Sequence, residues 1–154
     1  MTVTKAIDAI KTFLKESSIE YDFDEEQGLF TAEVNNDLHV DKYYFKLYDT
    51  KNCFVFYIVP SFLIPKQDIP SVVEFITRVN LGLLIGNFEF DYVESKVRFK
   101  SAIGLVDNQL SDDQVAVTVR PAVRAWKSYL PGVIEVMARV ASPTRALNKI
   151  DYGE

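Results

Sequence analysis

Residues 43–59 of this 154-residue chain read YYFKLYDTKNCFVFYIV, and this stretch decides the fold. Two strand-like runs flank a polar turn at residues 49–52, an arrangement typical of a β-hairpin. Folding about that turn places one wholly apolar set of cross-strand pairs on one face: Tyr43–Ile58, Phe45–Phe56 and Leu47–Phe54. The opposite face carries pairs made mainly from amphipathic side chains: Tyr44–Tyr57, Lys46–Val55 and Tyr48–Cys53.

The second face of this hairpin is the candidate binding surface. Tyrosine tolerates half-wet contacts and is enriched at protein interfaces. Either a helix of the same chain covers these rings, or they form a docking surface for a subunit or polypeptide. The predicted partner-binding residues are Tyr44, Tyr48, Val55, Tyr57 and Val59.

Outside this hairpin, the hydrophobic periodicity alternates between helix and strand. A helix is predicted over 4–16 and strands over 19–24 and 29–34. A second helix over 71–85 opens at a capping box, Ser71–Glu74. The order α-β-β-β-β-α-β-β-α indicates an α+β domain with helices packed on an antiparallel sheet.

The second hairpin, around residues 88–100, has a predicted register that places opposite charges together. It sets Phe90 opposite Phe99, Asp91 opposite Arg98 and Glu89 opposite Lys100.

The last long helix is predicted to begin at a capping box, Ser111–Gln114. Pro121 should kink it, and Pro131 should open a fresh helical segment. The predicted domain is 1–142, followed by a polar C-terminal tail, 143–154, that is expected to fray.

Composition excludes several classes of function. One Cys rules out an internal disulfide and one His rules out multi-histidine metal sites, while a net charge of -5 argues against nucleic-acid binding. No glycine-rich phosphate loop is present, and we predict neither a metal nor another cofactor. The most apolar segment, 53–65, is too short to span a membrane and the N-terminus lacks a signal-peptide core, so we expect a cytoplasmic protein.

Two residues keep an enzymatic alternative open. His39, in the sequence DLHVD at 37–41, either acts as a base oriented by a neighbouring carboxylate or lies in a loop near solvent. Cys53 is either a nucleophile or an inert packing residue, and only Lys51 lies near it in sequence. The inert interpretation is favoured for both, so no catalytic residue is predicted.

Basic charge is concentrated late in the chain. Residues 115–150 contain six basic side chains and one acidic, whereas 1–114 contain 11 basic and 19 acidic. Arg120, Arg124 and Lys127 share one helical face. That face is either solvated, attracted to the acidic part of its own fold, or used to dock an acidic partner.

The segments FITRVNLGLLIGNFEFD at 75–91 and YLPGVI at 129–134 resemble the YbjN-like family, whose members are described as sensory-transduction regulators. Pro121 and the basic C-terminal segment depart from the family pattern. The resemblance implies a fold similar to type III secretion chaperones, which are acidic, often dimeric, non-enzymatic and bind polypeptides. It also implies fold-defining roles for Asn80 and Asn87, which would bond the backbone at a helix-to-strand corner, and for Gly86, which would permit the turn.

We therefore expect a non-catalytic, cytoplasmic, chaperone-like homodimer that captures a polypeptide on its aromatic surface. The predicted dimer contacts are Val73, Ile76 and Leu84, on the helix that is apolar on several sides. The alternative is a sensor that holds a small apolar ligand in a hollow between sheet and helices.

Overall fold

A computed structural model of the chain describes residues 2–37 and 39–154. It confirms the predicted α+β class and element order, with one helix added at the end. The helices are α1 (Thr2–Glu16), α2 (Ile69–Gly82), α3 (Asp112–Met137) and α4 (Pro143–Tyr152). The strands are β1 (Asp22–Asp24), β2 (Leu29–Asn35), β3 (Val40–Tyr48), β4 (Cys53–Pro60), β5 (Asn87–Asp91) and β6 (Lys96–Gly104).

The six strands form one antiparallel sheet in the order β1-β2-β3-β4-β6-β5. All six predicted cross-strand pairs of the β3–β4 hairpin are confirmed, from Tyr43 opposite Ile58 to Tyr48 opposite Cys53. Because side chains alternate along a strand, this register sends one apolar set toward the helices. The buried core includes these rings of β3 and β4 together with residues from all four helices.

The β5–β6 hairpin has a different register from the predicted one. Phe88, not Phe90, lies opposite Phe99, and Glu89 lies opposite Arg98. The loop is longer than the tight turn that was assumed, because Oδ1 of Asp91 accepts hydrogen bonds from the amides of Val93 and Glu94. A shift of two residues keeps every side chain on its predicted face.

Helix α2 begins earlier than predicted, so the capping box at Ser71 is wrong. The helix starts at Ile69, and Asp68 occupies its N-cap position. Pro70 fits the first turn, where a missing backbone N–H disrupts no helical hydrogen bond. The capping box at Ser111 is confirmed, with reciprocal bonds to Gln114 of 3.2 and 2.9 Å.

Helix α3 is continuous over 26 residues, so the fresh segment predicted at Pro131 is wrong. A proline leaves the carbonyl four residues earlier without its helical donor. Those carbonyls belong to Val117 and Lys127, and both of these residues are exposed, so water can satisfy them.

The predicted fraying tail is instead helix α4. The Ser142 hydroxyl accepts from the Arg145 amide at 3.2 Å, and Gly153 ends the helix with a φ of 73°. Ala146 is completely buried, which anchors the helix against the core. The hydrophobic pattern of the sequence does not predict this helix, because its outer surface is almost wholly polar.

The corner between α2 and β5 forms as the family resemblance implies. Asn80 makes two hydrogen bonds to the backbone of Phe88, accepting from its N–H at 2.7 Å and donating to its C=O at 2.9 Å. Asn87 adds a weaker bond of 3.3 Å to the same C=O. Gly86 has a φ of 73°, a conformation that L side chains rarely adopt.

Candidate partner-binding surface

One face of the sheet carries none of the helices in the described part of the chain, and we call it the open face. Every strand residue in the hydrophobic core belongs to the opposite face. The predicted partner-binding residues all lie on the open face, on the central strands β3 and β4: Tyr44, Tyr48, Val55, Tyr57 and Val59. Of the two sequence alternatives, coverage by a helix of the same chain is therefore wrong for the described residues.

The tyrosines form a cluster at the centre of the open face. Tyr44 and Tyr57 are direct cross-strand partners, and Tyr48 lies two residues further along β3. All three are half-buried, although no helix among residues 2–37 and 39–154 covers them. Val55 is 6% exposed although it lies on this face, whereas Ala102, opposite it on β6, is exposed. The cluster therefore presents ring faces and edges to solvent on a rigid base.

Cations lie over these rings. The guanidinium of Arg98 is 4.9 Å from the ring centroid of Tyr57, and the ammonium of Lys46 is 5.3 Å from that of Tyr48. Such contacts hold cations beside apolar surface. Burial, helped by the neighbouring Tyr48, raises the pKa of Tyr57 to about 12, so the phenol stays protonated near neutral pH.

Two shallow concavities lie side by side on the open face and share Tyr44 and Val59. Their volumes are about 290 and 360 Å³. The first is also lined by Gln27, Leu29, Lys46, Tyr48, Tyr57 and Arg98. The second is also lined by Glu33, Val40, Lys42, Pro60, Ser61 and Lys96.

Charge on the open face is arranged by strand. The three central strands β3, β4 and β6 contribute only cations: Lys42, Lys46, Lys96, Arg98 and Lys100. The flanking strands contribute the carboxylates: Asp22, Asp24, Glu33, Glu89 and Asp91. Although the chain is acidic overall, the centre of this face is therefore basic and aromatic.

Glu89, on the edge strand β5, forms ion pairs with two of the cations on β6. Its carboxylate accepts from Arg98 at 2.6 Å and also pairs with Lys100. Burial alone would raise the pKa of Glu89, but the hydrogen bonds from Lys100 and Arg98 outweigh it and lower that pKa. The pairing also holds Arg98 beside Tyr57.

The three predicted dimer contacts differ in how much of each side chain is exposed to solvent. Ile76 is 3% exposed and belongs to the core of its own chain, which leaves little surface for a second copy. Val73 is half-buried on α2. Leu84 is 99% exposed just after α2, next to the exposed side chains of Leu81 and Ile85.

His39 lies in a loop as predicted, but its side chain is only 11% exposed, so the imidazole is mostly buried rather than near solvent. Its Nε2 lies 3.0 Å from Oδ1 of Asp41, which is itself buried. Oδ2 of Asp41 accepts from Trp126 at 2.9 Å and from Asn36 at 2.6 Å. The group lines a 410 Å³ pocket between β3 and α3. Only the spacing of His39 and Asp41 could have indicated it in the sequence.

Cys53 is half-buried at the start of β4, and its thiol lies 3.7 Å from the carbonyl of Phe54. His39 lies one residue before β3, whereas Cys53 pairs with Tyr48 at the far end of that strand. The structure therefore does not bring the two together as a catalytic pair.

Within the described residues, no group of three or more His, Cys, Asp or Glu side chains is placed to hold a metal ion. No helix in residues 2–37 and 39–154 combines the length and apolar character that crossing a bilayer requires.

A sequence model of the YbjN family, described as "Putative bacterial sensory transduction regulator", matches residues 6–135. The chain belongs to the YbjN family. No curated protein matches the sequence. The family description indicates a regulatory role for this YbjN-family chain.

Solved structures share the fold. YbjN from E. coli, described as a putative transcription regulator, has a TM-score of 0.59 at 12% identity, covering 87% of this chain and 90% of that one. The type III secretion chaperone ExsC, in the ExsC–ExsE complex, has 0.56 at 13%, covering 84% and 93%. An uncharacterized protein from Methanothermobacter thermautotrophicus has 0.51 at 18%, covering 84% and 97%. At these identities the likeness establishes a secretion-chaperone type of fold.

Proposed function

We propose that this YbjN-family protein is a non-catalytic, cytoplasmic regulator that binds a polypeptide on the open face of its sheet. The observation that carries the proposal is the half-buried tyrosine cluster on strands that no described helix covers. The fold of ExsC, seen in complex with ExsE, agrees with a protein partner. The strands supply a rigid surface, and the two concavities supply pockets for side chains.

Charge favours a particular kind of partner. Of the five cations on β3 and β6, Arg98 and Lys100 pair with Glu89, and Lys42 pairs with Glu33. Among the described residues, no carboxylate oxygen lies within 4.0 Å of the ammonium of Lys46 or Lys96. An acidic segment carrying aromatic or aliphatic side chains would complement these two cations and the tyrosines. A two-fold axis through the centre of this face would bring the unpaired cations of one copy close to those of its mate. That repulsion favours a different polypeptide over a second copy on the open face.

The proposed homodimer uses another surface, at the end of α2. Leu81, Leu84 and Ile85 form an apolar projection beside the edge strand β5. Solvent-facing leucines this close together are typical of an interaction site. We propose Leu84 and Val73 as the contacts, with Ile76 supporting them from the core beneath.

Partner capture is tested by comparing immobilised wild-type protein with the variants Tyr57→Asp and Tyr92→Asp. Tyr92 is exposed on the β5–β6 loop, outside the cluster, and gives the same chemical change. We expect one protein from the native host to be retained by the wild type and by Tyr92→Asp and lost from Tyr57→Asp. Titration of its purified acidic segment should then show at least about tenfold weaker binding to Tyr57→Asp.

Melting curves must show that Tyr57→Asp remains folded, and Tyr48→Ala provides a milder second variant. Equal retention by all folded variants would refute the open face as the binding surface.

Dimerisation is tested by sedimentation equilibrium. The chain mass is 17.6 kDa, and we expect about twice that mass at micromolar concentration. Leu84→Glu should shift the protein toward monomer, whereas Val106→Glu, at an exposed loop position, should not. A wild-type monomer at these concentrations would remove the dimer from the proposal and leave partner capture standing.

A further inference from the structure

A groove on the helical side of the sheet lies where α1, α3 and strands β2 and β3 meet, and we call it the α1–α3 groove. Its volume is about 360 Å³, within the range of small-molecule sites. Its walls are mostly apolar: Phe13, Ile19, Val34, Tyr43, Val119 and Val123. It lies on the opposite side of the sheet from the open face and goes beyond the proposed function.

A row of three cations borders the groove. Arg120, Arg124 and Lys127 are exposed, lie along one face of α3, and all line the groove. Residues three and four apart on a helix are neighbours, so the row forms one continuous basic edge. The guanidinium of Arg120 is 6.0 Å from the ring centroid of Phe13, so the positive charge lies directly beside the apolar wall.

The fold does not neutralise this row. Across residues 2–37 and 39–154, no carboxylate oxygen lies within 4.0 Å of the charged nitrogens of Arg120, Arg124 or Lys127. Arg139 and Lys149, in the same basic part of the chain, pair with Asp68 at 2.8 Å and Glu135 at 2.5 Å. Attraction to the chain's own acidic residues therefore accounts for those two cations and not for the row.

Tyr43 adds a polar group to the groove wall. The residue as a whole is 4% exposed, and it is one of the residues that line the groove. Burial, with a further contribution from Asp41, raises the pKa of Tyr43 to about 12, so at neutral pH the phenol is a hydrogen-bond donor. A hydroxyl donor beside cations suits a ligand that carries an acceptor.

We propose that the α1–α3 groove binds an anionic amphiphile, a molecule with one acidic head group and an apolar body. The head group pairs with Arg120 and Arg124, and the body packs against Phe13, Val34 and Val123. A neutral apolar ligand would leave the cation row unused. A polyanion without apolar groups would leave the apolar walls exposed to water. Only a molecule with both parts uses all of the lining.

The test is isothermal titration of the purified full chain with decanoate, below the concentration at which it forms micelles. We expect saturable binding that weakens as salt is added, because ionic strength screens the head-group interaction. Decyltrimethylammonium, which has the same chain and the opposite charge, should bind much more weakly. Equal binding of the two amphiphiles, or no saturable binding of decanoate, would overturn the proposal.

Two variants separate the charged and apolar parts of the site. Arg124→Glu should weaken decanoate binding roughly tenfold, since it replaces attraction by repulsion at the head group. The matched control is Arg145→Glu, which reverses an exposed charge on α4, outside the groove, and should leave binding unchanged. Val34→Trp should fill the groove and abolish binding while all three cations remain. Equal weakening by Arg124→Glu and Arg145→Glu would overturn the assignment to this groove.

Co-sedimentation with lipid vesicles distinguishes a soluble acid from a membrane lipid as the ligand of the groove. Binding of free decanoate without co-sedimentation on phosphatidylglycerol vesicles assigns the groove to a soluble acid. Co-sedimentation with phosphatidylglycerol but not phosphatidylcholine vesicles, sensitive to Arg124→Glu, assigns the same chemistry to a lipid. Binding of oligoglutamate in preference to decanoate would instead identify an acidic polypeptide site and overturn the proposal. Melting curves confirm that each variant is folded.

Discussion

The indole N–H of Trp126 donates to Oδ2 of Asp41 across 2.9 Å, joining two buried side chains that are 85 positions apart in sequence. Asp41 is 2% exposed and Trp126 is 1% exposed. A buried carboxylate is costly unless it is paired and hydrogen-bonded. Here Asn36 gives Oδ2 a second hydrogen bond, and Nε2 of His39 lies 3.0 Å from Oδ1, which accepts no hydrogen bond from the described residues. The bond therefore fixes the long helix α3 against the start of β3.

Trp126→Phe should lower the free energy of unfolding by about 2–4 kcal/mol, because it removes a donor from a buried charge and leaves a small void. Urea denaturation followed by circular dichroism measures the change. Tyr129→Phe is the matched control on the same helix: it removes the exposed 3.0 Å bond to Asp151 and should cost about 0.5–1 kcal/mol. Equal losses of unfolding free energy in both variants would show that the buried bond contributes no more to stability than the exposed one.

Gly132 lies where α3 packs tightly against residues of α2 and α4. A Cβ added there would lie 2.3 Å from Cζ of Phe75 and 2.9 Å from Cδ1 of Ile150. Gly132→Ala should therefore destabilise the protein by about 1–3 kcal/mol, although alanine is the better helix former. Differential scanning calorimetry would detect this as a lower melting temperature.

Gly82 provides the contrast, because nothing lies within 4 Å of a Cβ added at that position. Gly82→Ala, at the last residue of α2, should leave stability unchanged or raise it by up to about 1 kcal/mol. If Gly132→Ala behaved as Gly82→Ala does, the tight packing of the three helices would be contradicted.

Glu89 gives the stability of the sheet edge a defined pH dependence. Its pKa is lowered from the ordinary value of 4.5, so the ionised form stabilises the folded state. That contribution is complete above pH 4.5 and is lost as the pH falls through the folded-state value. Since Arg98 and Lys100 are partly exposed, it should amount to less than about 1 kcal/mol and shrink with added salt.

The measurement compares wild type with Glu89→Gln in urea denaturation from pH 3 to pH 7. The stability difference between them should be larger at pH 7 than at pH 3. A difference that stays constant across the range would rule out the proposed role of the ion pairs.

The sequence predicted most accurately where one local pattern determines the structure. The β3–β4 register follows from a four-residue turn and two uninterrupted apolar faces, so every pair could be predicted. In the β5–β6 hairpin, two different registers place opposite charges across from each other equally well. The hydrogen bonds that Asp91 accepts from the loop amides stabilise the longer loop and therefore favour the observed register. Helix α4 escaped prediction because its stability comes from tertiary contacts around Ala146 rather than from its own apolar content.

The candidate site was predictable for a similar reason. Strand alternation assigns the tyrosines to one face. Only the structure shows that no described helix covers that face. The α1–α3 groove and the Asp41–Trp126 bond join residues from distant segments, which no periodicity relates. The basic row on α3 was visible in the sequence, but its position beside an apolar groove was not.

Asn80 should be the more important of the two asparagines at the α2–β5 corner. Asn80→Ala leaves the N–H of Phe88 without its side-chain partner and its C=O with only the 3.3 Å bond from Asn87, at a residue that is 2% exposed. We expect a loss of about 2–3 kcal/mol in unfolding free energy and faster hydrogen exchange at the Phe88 amide. Asn87→Ala removes one 3.3 Å bond and should cost less than about 1 kcal/mol. Asn80→Asp keeps the acceptor and loses the donor, so its loss should exceed that of Asn87→Ala while the Phe88 amide stays protected. Unchanged exchange at Phe88 in Asn80→Ala would mean that the strand, rather than the side chain of Asn80, holds this corner in place.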